Sequence, residues 1–539
     1  MKYLKWLWTC SGKSRGAIAA DIMLNCAGIV LSLLFIWISK HLVDIAVCAE
    51  SRSPLMSFSI ALVASMTLRV VINAVRTSLE KRTYYGVLFS LRKRLYSRLL
   101  RSGISGRGGI HSGDAVNRLF SDVDVVAQAL CQDFPSVFST FIRLLAAFIF
   151  LIMIDCRLAI MILVITPLFV LLGNIFFTRL RLLTRRIRSK ESEVQGCIQE
   201  TVLHRTVIQA MERQDDMETR LERLQTQEMD SVMKRIGLSV FSRSMMSLAF
   251  GAGYSVALIW GVAGISSGAV TFGMLTAFLQ LVGQIQGPSV TLARQMYGFV
   301  YTLASVDRLM EVEGLETEDC GEPVLLPAPA GIRIENLSFS YPDSDEAVFS
   351  SFSHDFKPGS KTAVTGPTGA GKSTLVKLIL ALVRPASGSV TLYSGDNAAE
   401  SSPGTRVNII YVPQGNTLLS GTIRDNLLMG NPDADYNMMW EALDTAAADF
   451  VRELPGGLDT RCGELGAGLS EGQAQRIAIA RGLLRPGSIM LLDELSSSLD
   501  SETERRMLAN LTSRNLEKTM IFITHRDVVE DYCDEVVRL

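Results

Sequence analysis

The residues with the plainest chemistry lie in the C-terminal part of the chain. Gly366-Pro-Thr-Gly-Ala-Gly-Lys-Ser-Thr374 has the spacing of a phosphate-binding loop, G-x-x-x-x-G-K-[ST]. Gly366, Gly369 and Gly371 let backbone N–H groups approach phosphate oxygens with no side chain in the way. The run 362–365 before the loop predicts a strand. The run 375–382 after it predicts a helix whose positive dipole end faces the phosphates. Lys372 is then set to hold the β- and γ-phosphates of a nucleotide. Ser373, followed by Thr374, is set to ligate Mg²⁺.

A second element has the same destination. Ile489-Met-Leu-Leu-Asp-Glu494 is an apolar strand ending in two carboxylates. A buried strand fixes Asp493 at its tip, where it can hold the metal ion through water. Glu494 comes directly after it and can orient or deprotonate an attacking water. Many strands end in acids, so this pair carries weight only after the phosphate-binding loop in the same domain.

These groups need a framework, and composition divides the chain in two. Mean hydropathy is +0.26, yet 20% of the 539 residues are charged. That mixture points to a membrane part and a water-exposed part. A net charge of -1 gives no global field for nucleic acid. Nine cysteines, among them Cys26, Cys156, Cys320 and Cys462, show no metal-ligand spacing and read as reduced thiols. Lys2, Lys5, Lys13 and Arg15 interleave with Trp6 and Trp8, the pattern of a helix lying at a membrane surface.

A spanning helix needs about 20 mostly apolar residues. Six such runs occur near 16–38, 55–77, 133–154, 158–178, 240–263 and 269–290. Asp155-Cys156-Arg157 separates the third and fourth, and Ser266-Ser267-Gly268 the fifth and sixth, so both pairs are expected to be helical hairpins. Arg69 and Asn73 interrupt the second run, and Gln280, Gln284 and Gln286 the sixth. Polar groups are costly in lipid, so these helices are expected to face a cavity or a partner. Basic residues crowd the segments after the second and fourth runs. The positive-inside rule therefore puts both long connections and both termini in the cytoplasm. The connections, 79–130 and 179–238, read as helices extending from the membrane. Each turns at a break, at Gly103–Gly113 and His204–Gln209. Acidic and then proline-rich residues over 311–330 mark a linker between a transmembrane domain, 1–310, and a parallel-sheet α/β domain, 331–539.

The chain at this point resembles the ABC transporter superfamily over essentially its whole length. Leu469-Ser470-Glu471-Gly472-Gln473 stands where that family has its signature motif, and Ala474 to Arg481 match the family closely. The resemblance puts Ser470, Gly472 and Gln473 on the phosphates of ATP bound by another subunit. It reads Gln414 in Tyr411-Val-Pro-Gln as the Q-loop glutamine, near the metal and the attacking water. Ser498-Leu499-Asp500 looks like the D-loop, and His525 in Thr524-His525-Arg526 looks like the switch histidine. Tyr341 in Phe339-Ser-Tyr-Pro looks like the aromatic that stacks on adenine. Taken singly, Tyr341 reads as a strand-end aromatic, His525 as a packed core histidine and Gln414 as a loop amide. Their order and spacing in one domain reverse that reading. The segments 420–427 and 463–466 look like exporter-type elements that face the cytoplasmic connections.

The resemblance is to the type I exporter branch: a membrane α-helical bundle of six transmembrane helices with long cytoplasmic extensions, plus an α/β P-loop nucleotide-binding domain. It implies an ATP hydrolase with ATP and Mg²⁺ as cofactors, seated in the cytoplasmic membrane. Its partner is a second ABC subunit. A homodimer is favoured because all the ATP-site elements are intact, and a heterodimer with a degenerate partner is the alternative. The breaks at 104–118 and 203–212 become coupling helices. The chain departs from the family at Glu471, where glycine is usual, and at Ser498, where alanine is commoner. It also ends at Leu539, where relatives usually continue with another strand pair and helix. With the first span near residue 16, no N-terminal peptidase domain is expected.

Exported cargo is expected to be an amphiphile or lipid, with a drug or peptide as the alternative. The residues behind this are Arg69, Arg143 and Arg294, each costing ~2.5–3.5 kcal/mol at membrane depth. Either they face a shared wet cavity suited to an anionic head, or they snorkel and pair with carboxylates such as Asp21.

Overall fold

The computed structural model describes residues 2–47, 52–103, 112–318, 321–341, 346–367, 369–463, 468–495, 499–514 and 517–539. The chain forms two compact units, one of Met1–Tyr96 with Val116–Glu313, the other of Ser97–Ala115 with Gly314–Leu539.

The first unit is helical. A short helix α1 (Lys2–Cys10) precedes α2 (Arg15–Val47) and α3 (Arg52–Arg101). Helices α4 (Ser112–Asn117), α5 (Val123–Gln128) and α6 (Phe134–Ile154) succeed one another through two wider π turns. Then come α7 (Cys156–Leu203), α8 (Arg205–Ala210), α9 (Gln214–Ser266) and α10 (Phe272–Glu313). All six expected spans fall on helices. Among the described residues, four helical stretches, Arg15–Val47, Pro54–Arg101, Gly113–Ile154 and Gln214–Ser266, are long and apolar enough to cross a membrane. The fourth expected span lies in α7, where the side chains of 162–177 are outside the described residues. The sixth lies in α10, whose glutamines dilute its apolar character.

Both hairpins form as expected. The chain reverses at Asp155, which leaves helical geometry at φ -152°. Its carboxylate accepts from the Arg157 N–H at 2.8 Å and from Trp260 Nε1 at 3.1 Å, so α9 clamps the α6–α7 corner. The second reversal comes after Ser266, with Gly268 at φ +73°. The expected break near His204 is present as the interruption between α7 and α9 that holds α8. The other break, at 103–113, falls mostly on 104–111, outside the described residues.

Several polar groups in this unit are satisfied across helices. Gln284 donates to Ser32 at 2.7 Å, the Gly273 N–H to Asp44 at 2.8 Å, and Gln295 to Ser136 at 2.8 Å. The sixth-span glutamine Gln284 is thus spent on a neighbouring helix. Ile36, Leu151, Phe278, Leu281 and Ile285 form part of the buried apolar cluster of this unit. Helix α1 is held by Tyr3 on Asp307 at 3.2 Å and Trp6 on Glu313 at 2.5 Å, while Trp8 stays exposed.

The second unit contains two larger sheets. The strands β1 (Gly331–Ser340), β2 (Ala347–Phe356), β4 (Ser387–Ser394) and β5 (Asn397–Glu400) form an antiparallel sheet in the order β2-β1-β4-β5. Strands β3 (Lys361–Thr365), β6 (Ile409–Val412), β9 (Ile489–Asp493), β10 (Thr519–Ile523) and β11 (Glu535–Arg538) form a parallel one, ordered β11-β3-β10-β9-β6. Every residue of β9 and β10 is buried, as required of central parallel strands covered on both faces. Helices α11 (Lys372–Ile379), α12 (Ile423–Leu428), α13 (Tyr436–Thr445), α14 (Glu471–Leu484), α15 (Ser501–Arg514) and α16 (Asp527–Glu530) complete the unit. One apolar cluster joins both sheets to α11, and another joins the parallel sheet to α12, α13, α14 and α15. The exporter-type segment 420–427 contributes a strand to a third, two-stranded sheet, β7 (Gly421–Thr422) against β8 (Arg461–Cys462), and β8 leads into 463–466. Of that second segment, 464–466 lie outside the described residues.

The linker is tied down at its start. Thr317 bridges Ser102, and the Glu318 N–H donates to the Arg101 carbonyl at 2.8 Å. Arg406 grips the Glu318 carboxylate with two nitrogens, at 2.6 and 2.9 Å, and also donates to the carbonyls of Leu380 and Ala381 beyond α11. One side chain therefore joins the linker to the helix that carries the phosphate loop. Arg406→Ala should lower the stability of this unit by about 2 kcal/mol, since it strips a half-buried carboxylate of its charged partner. Calorimetry of the full-length protein should show its Tm reduced by about 4–8 °C, and Arg406→Lys should recover only part, lacking the planar fork.

Candidate ATP-hydrolysis site

Strands β3, β9 and β10 run parallel and end on the same edge of the sheet, so the segments leaving them emerge side by side. After β3 comes the phosphate loop. Gly369 and Gly371 have φ of +93° and +98°, and a Cβ on Gly371 would lie 2.8 Å from Val348 Cγ1 and 3.0 Å from the Phe349 ring. No other residue type fits that position without moving β2. Thr368 lies outside the described residues. Helix α11 opens at Lys372, whose ammonium donates to the carbonyls of Gly366 at 2.6 Å and Pro367 at 3.1 Å. It thus spans the mouth of the loop. Ser373 is exposed in the first turn, whereas Thr374 is buried and shares a hydrogen bond of 3.2 Å with the Tyr341 hydroxyl.

After β9 come the two carboxylates, in different settings. Asp493 is 7% exposed, and burial, with Glu494 beside it, pushes its carboxyl up to about 6 against the pull of Lys372. Burial also pushes the nearby Tyr411 phenol up to about 12, with Asp493 contributing. Glu494 takes a left-handed φ of +47° and its N–H donates to the Ile523 carbonyl at 2.8 Å. That turn aims its carboxylate between two elements. One oxygen accepts a hydrogen bond from Gln414 Nε2, and the other lies 3.4 Å from His525 Nδ1. The structure therefore gathers three expected catalytic residues, Gln414, Glu494 and His525, around one carboxylate.

The signature segment is built on a local device. Ser470 caps α14, its Oγ accepting from the Gln473 N–H at 3.2 Å, while the Gln473 side chain accepts from the Ser470 N–H at 2.9 Å. Glu471 then falls in the first turn of α14, exposed, where a carboxylate suits the positive end of the helix. Gly472 is buried behind it. Among the described residues, no hydrogen bond or ion pair links Ser470, Gly472 or Gln473 to the phosphate loop of the same chain. Of the D-loop, Ser498 lies outside the described residues, and Asp500 caps α15 by accepting from the Thr503 N–H at 2.9 Å. Tyr341 is 9% exposed, flanked by Phe339 and by the Lys377 ammonium, so the adenine-stacking role expected of it needs one ring face to be uncovered.

Two positioning residues were not apparent from sequence. Gln475, 1% exposed, donates to the Glu494 carbonyl at 2.9 Å. Arg481 donates to the Thr417 carbonyl at 3.0 Å and to its hydroxyl at 2.8 Å, three residues beyond Gln414. Helix α14 thus holds both Glu494 and the loop that brings Gln414 to it. The one signal for Gln475 is an amide on the apolar face that carries Ala474, Ala478 and Ile479.

For a cation, the donors present are the Ser373 hydroxyl, the Asp493 carboxylate and the Gln414 amide. One carboxylate with hydroxyl and amide oxygens, completed by phosphates, is the kind of set Mg²⁺ takes. Because the Asp493 value is raised, the neutral acid is favoured in the fold. That contribution is lost as pH rises through about 6, and the carboxylate needed by a cation is lost as pH falls through it. ATP hydrolysis should therefore decline as pH drops through that value and be partly restored by excess Mg²⁺; a profile flat through it would contradict the assignment. Gln475→Ala should lower kcat by about tenfold, or ~1.4 kcal/mol, with KM for ATP little changed. An unchanged kcat would remove Gln475 from this role.

Comparisons with known proteins give the family and the fold. Residues 18–289 match the family model described as ABC transporter transmembrane region, and 349–497 the one described as ABC transporter. A "Putative multidrug export ATP-binding/permease protein" of Staphylococcus aureus is 28% identical over 487 residues, which are 89% of this chain and 84% of that one. The counterpart from a bovine strain of that species matches to the same extent. The solved structure of a bacterial Atm1-family ABC exporter with ATP bound has the same fold, with a TM-score of 0.79, 22% identity, and coverage of 97% of this chain and 93% of that one. With a transmembrane region and an ATP-hydrolysing domain fused in one polypeptide, the chain belongs to the ABC transporter family, as a multi-pass exporter half-transporter that couples ATP hydrolysis to transport.

Proposed function

We propose that the protein exports or flips an amphiphile across the cytoplasmic membrane as a homodimer, with both termini in the cytoplasm. The observation that carries the ATP-driven part is the gathering of Gln414, Glu494 and His525 beside the phosphate loop. In this reading the loop amides and Lys372 hold the β- and γ-phosphates of ATP, and Tyr341 stands at the adenine end. Ser373, Asp493 and Gln414 hold Mg²⁺, which supplies charge neutralisation at the phosphates. Glu494 accepts a proton from the attacking water, and His525 stabilises charge at the γ-phosphate.

Among the described residues, the signature residues Ser470, Gly472 and Gln473 have no polar contact with their own phosphate loop, which leaves them to meet ATP on a second subunit. One chain carries both halves of such a composite site, so two copies make two competent sites. Loss of the γ-phosphate then removes the charge that bridges the subunits. A heterodimer would need only one such site.

The cargo reading rests on arginines within the membrane unit, which suit an anionic head. The name of the Staphylococcus aureus relative favours a second reading, a drug exporter. Glu494→Gln should cut ATP turnover at least about 100-fold, since the amide keeps the shape and cannot take a proton. The variant should retain ATP and run as a dimer by light scattering. Turnover at the parental rate, or full activity in a verified monomer, would overturn this mechanism.

A further inference from the structure

His525 reaches the Glu494 carboxylate at 3.4 Å, but its side chain is 58% exposed, so packing does little to fix it. Its position depends on the backbone to either side. Before it, Thr524 is buried and its N–H donates to the Val364 carbonyl of β3 at 3.2 Å. After it comes Arg526, at the start of α16, whose N–H donates to the Thr524 hydroxyl at 3.0 Å.

What anchors the Arg526 side chain is a buried acid on another element. The guanidinium donates to the Glu504 carboxylate at 2.8 Å. Glu504 lies in the first turn of α15 and is 2% exposed. Met507, Leu508 and Leu511 follow it at helical spacing and are fully buried in the cluster against the parallel sheet. Helix α15 is therefore firmly seated, with Glu504 on its core-facing side. An acid is costly to bury there. An apolar residue of similar volume in place of a buried ion pair is often as stable or more so. The second Glu504 oxygen is buried with no hydrogen-bond partner among the described residues, so the carboxylate is bonded through one oxygen alone. The fold bears this cost at the residue next to His525, where a contact that fixes the backbone has most effect on the site.

We propose that Glu504 is a positioning residue for ATP hydrolysis. By gripping Arg526 it fixes the backbone at His525 and keeps the imidazole within reach of Glu494 and of the γ-phosphate. Glu504 acts through Arg526 and takes no part in the chemistry itself. A displacement of about 1 Å at a reacting group can cost about 100-fold in rate, so a contact one residue removed is felt in turnover. The inference deepens the hydrolysis mechanism proposed above and rests on the placing of His525 at the γ-phosphate.

The test compares turnover with stability in the full-length protein in nanodiscs. Glu504→Gln keeps the shape and removes the charge that draws Arg526, and it should lower kcat by about tenfold with KM for ATP little changed. Arg526→Ala should lower kcat to the same extent and lower Tm further, because it leaves the Glu504 charge buried and unpaired. Arg526→Lys should keep part of the turnover, since it retains a donor without the fork. The double variant Arg526→Ala with Glu504→Gln decides between positioning and stability. It should regain much of the Tm lost by Arg526→Ala, since no charge is stranded. Its kcat should stay as low as that of either single variant, since both break one contact. If its kcat recovers along with its Tm, or if Glu504→Gln turns over at the parental rate, the pair is structural only and the proposal is overturned. His525→Ala separates the failures. Lost turnover there beside parental turnover in Glu504→Gln sinks the Glu504 role alone, whereas parental turnover in His525→Ala removes His525 from the chemistry and this proposal with it.

Discussion

The hydrogen bond from the Glu494 N–H to the Ile523 carbonyl, at 2.8 Å, sits where Gln414, Glu494 and His525 converge. It joins the end of β9 to the end of β10 and holds Glu494 in a left-handed turn. That backbone conformation is unfavourable for a residue with a side chain. The buried strands on either side hold it, because slipping either would expose residues that are now covered. From this turn the carboxylate reaches Gln414 on one side and His525 on the other. The parallel sheet thus converts strand register into the contact among these three side chains.

Helix α14 gives that turn a second support. Gln475 holds the Glu494 carbonyl, and Arg481 holds Thr417 in the loop that carries Gln414, so one helix steadies both ends of the Gln414–Glu494 contact. The same helix begins just after its cap Ser470, in the signature segment. Any group that contacts its N-terminus therefore acts on the helix that also holds Glu494 in place. Burial lowers the proton affinity of the Arg481 guanidinium, and its two hydrogen bonds to Thr417 offset the cost of holding the charge there.

In the membrane unit the organising constraint is different. Apolar side chains gain little from leaving lipid for one another, so polar pairs carry specificity between helices. Asp155 with Trp260, Gln284 with Ser32, and Asp44 with the Gly273 N–H each fix one helix against another. Arg69 on α3 and Arg143 on α6 break this pattern: both line one cavity, and the Arg143 Nε is buried with no hydrogen-bond partner among the described residues. The side chain of Arg294, singled out with them in the sequence, lies outside the described residues.

Much of this was legible in the chain alone. The glycine and lysine spacing of the phosphate loop, the two carboxylates after an apolar strand, and the hairpins at Asp155 and Gly268 are local patterns. Local backbone preference and hydrophobic period are sufficient to write them. The contact between Gln414, Glu494 and His525 is of another kind, since 80 residues separate the first two. Resemblance put these residues in one site, and only the sheet order β3-β10-β9-β6 made them neighbours. Gln475 stayed hidden because its meaning depends on a carbonyl 19 residues away. The surroundings of Arg69 and Arg143 were equally unreadable from sequence. Helix period says which face of α3 an arginine takes, but only the packing of α2, α3 and α6 decides whether that face meets a carboxylate, lipid or a cavity.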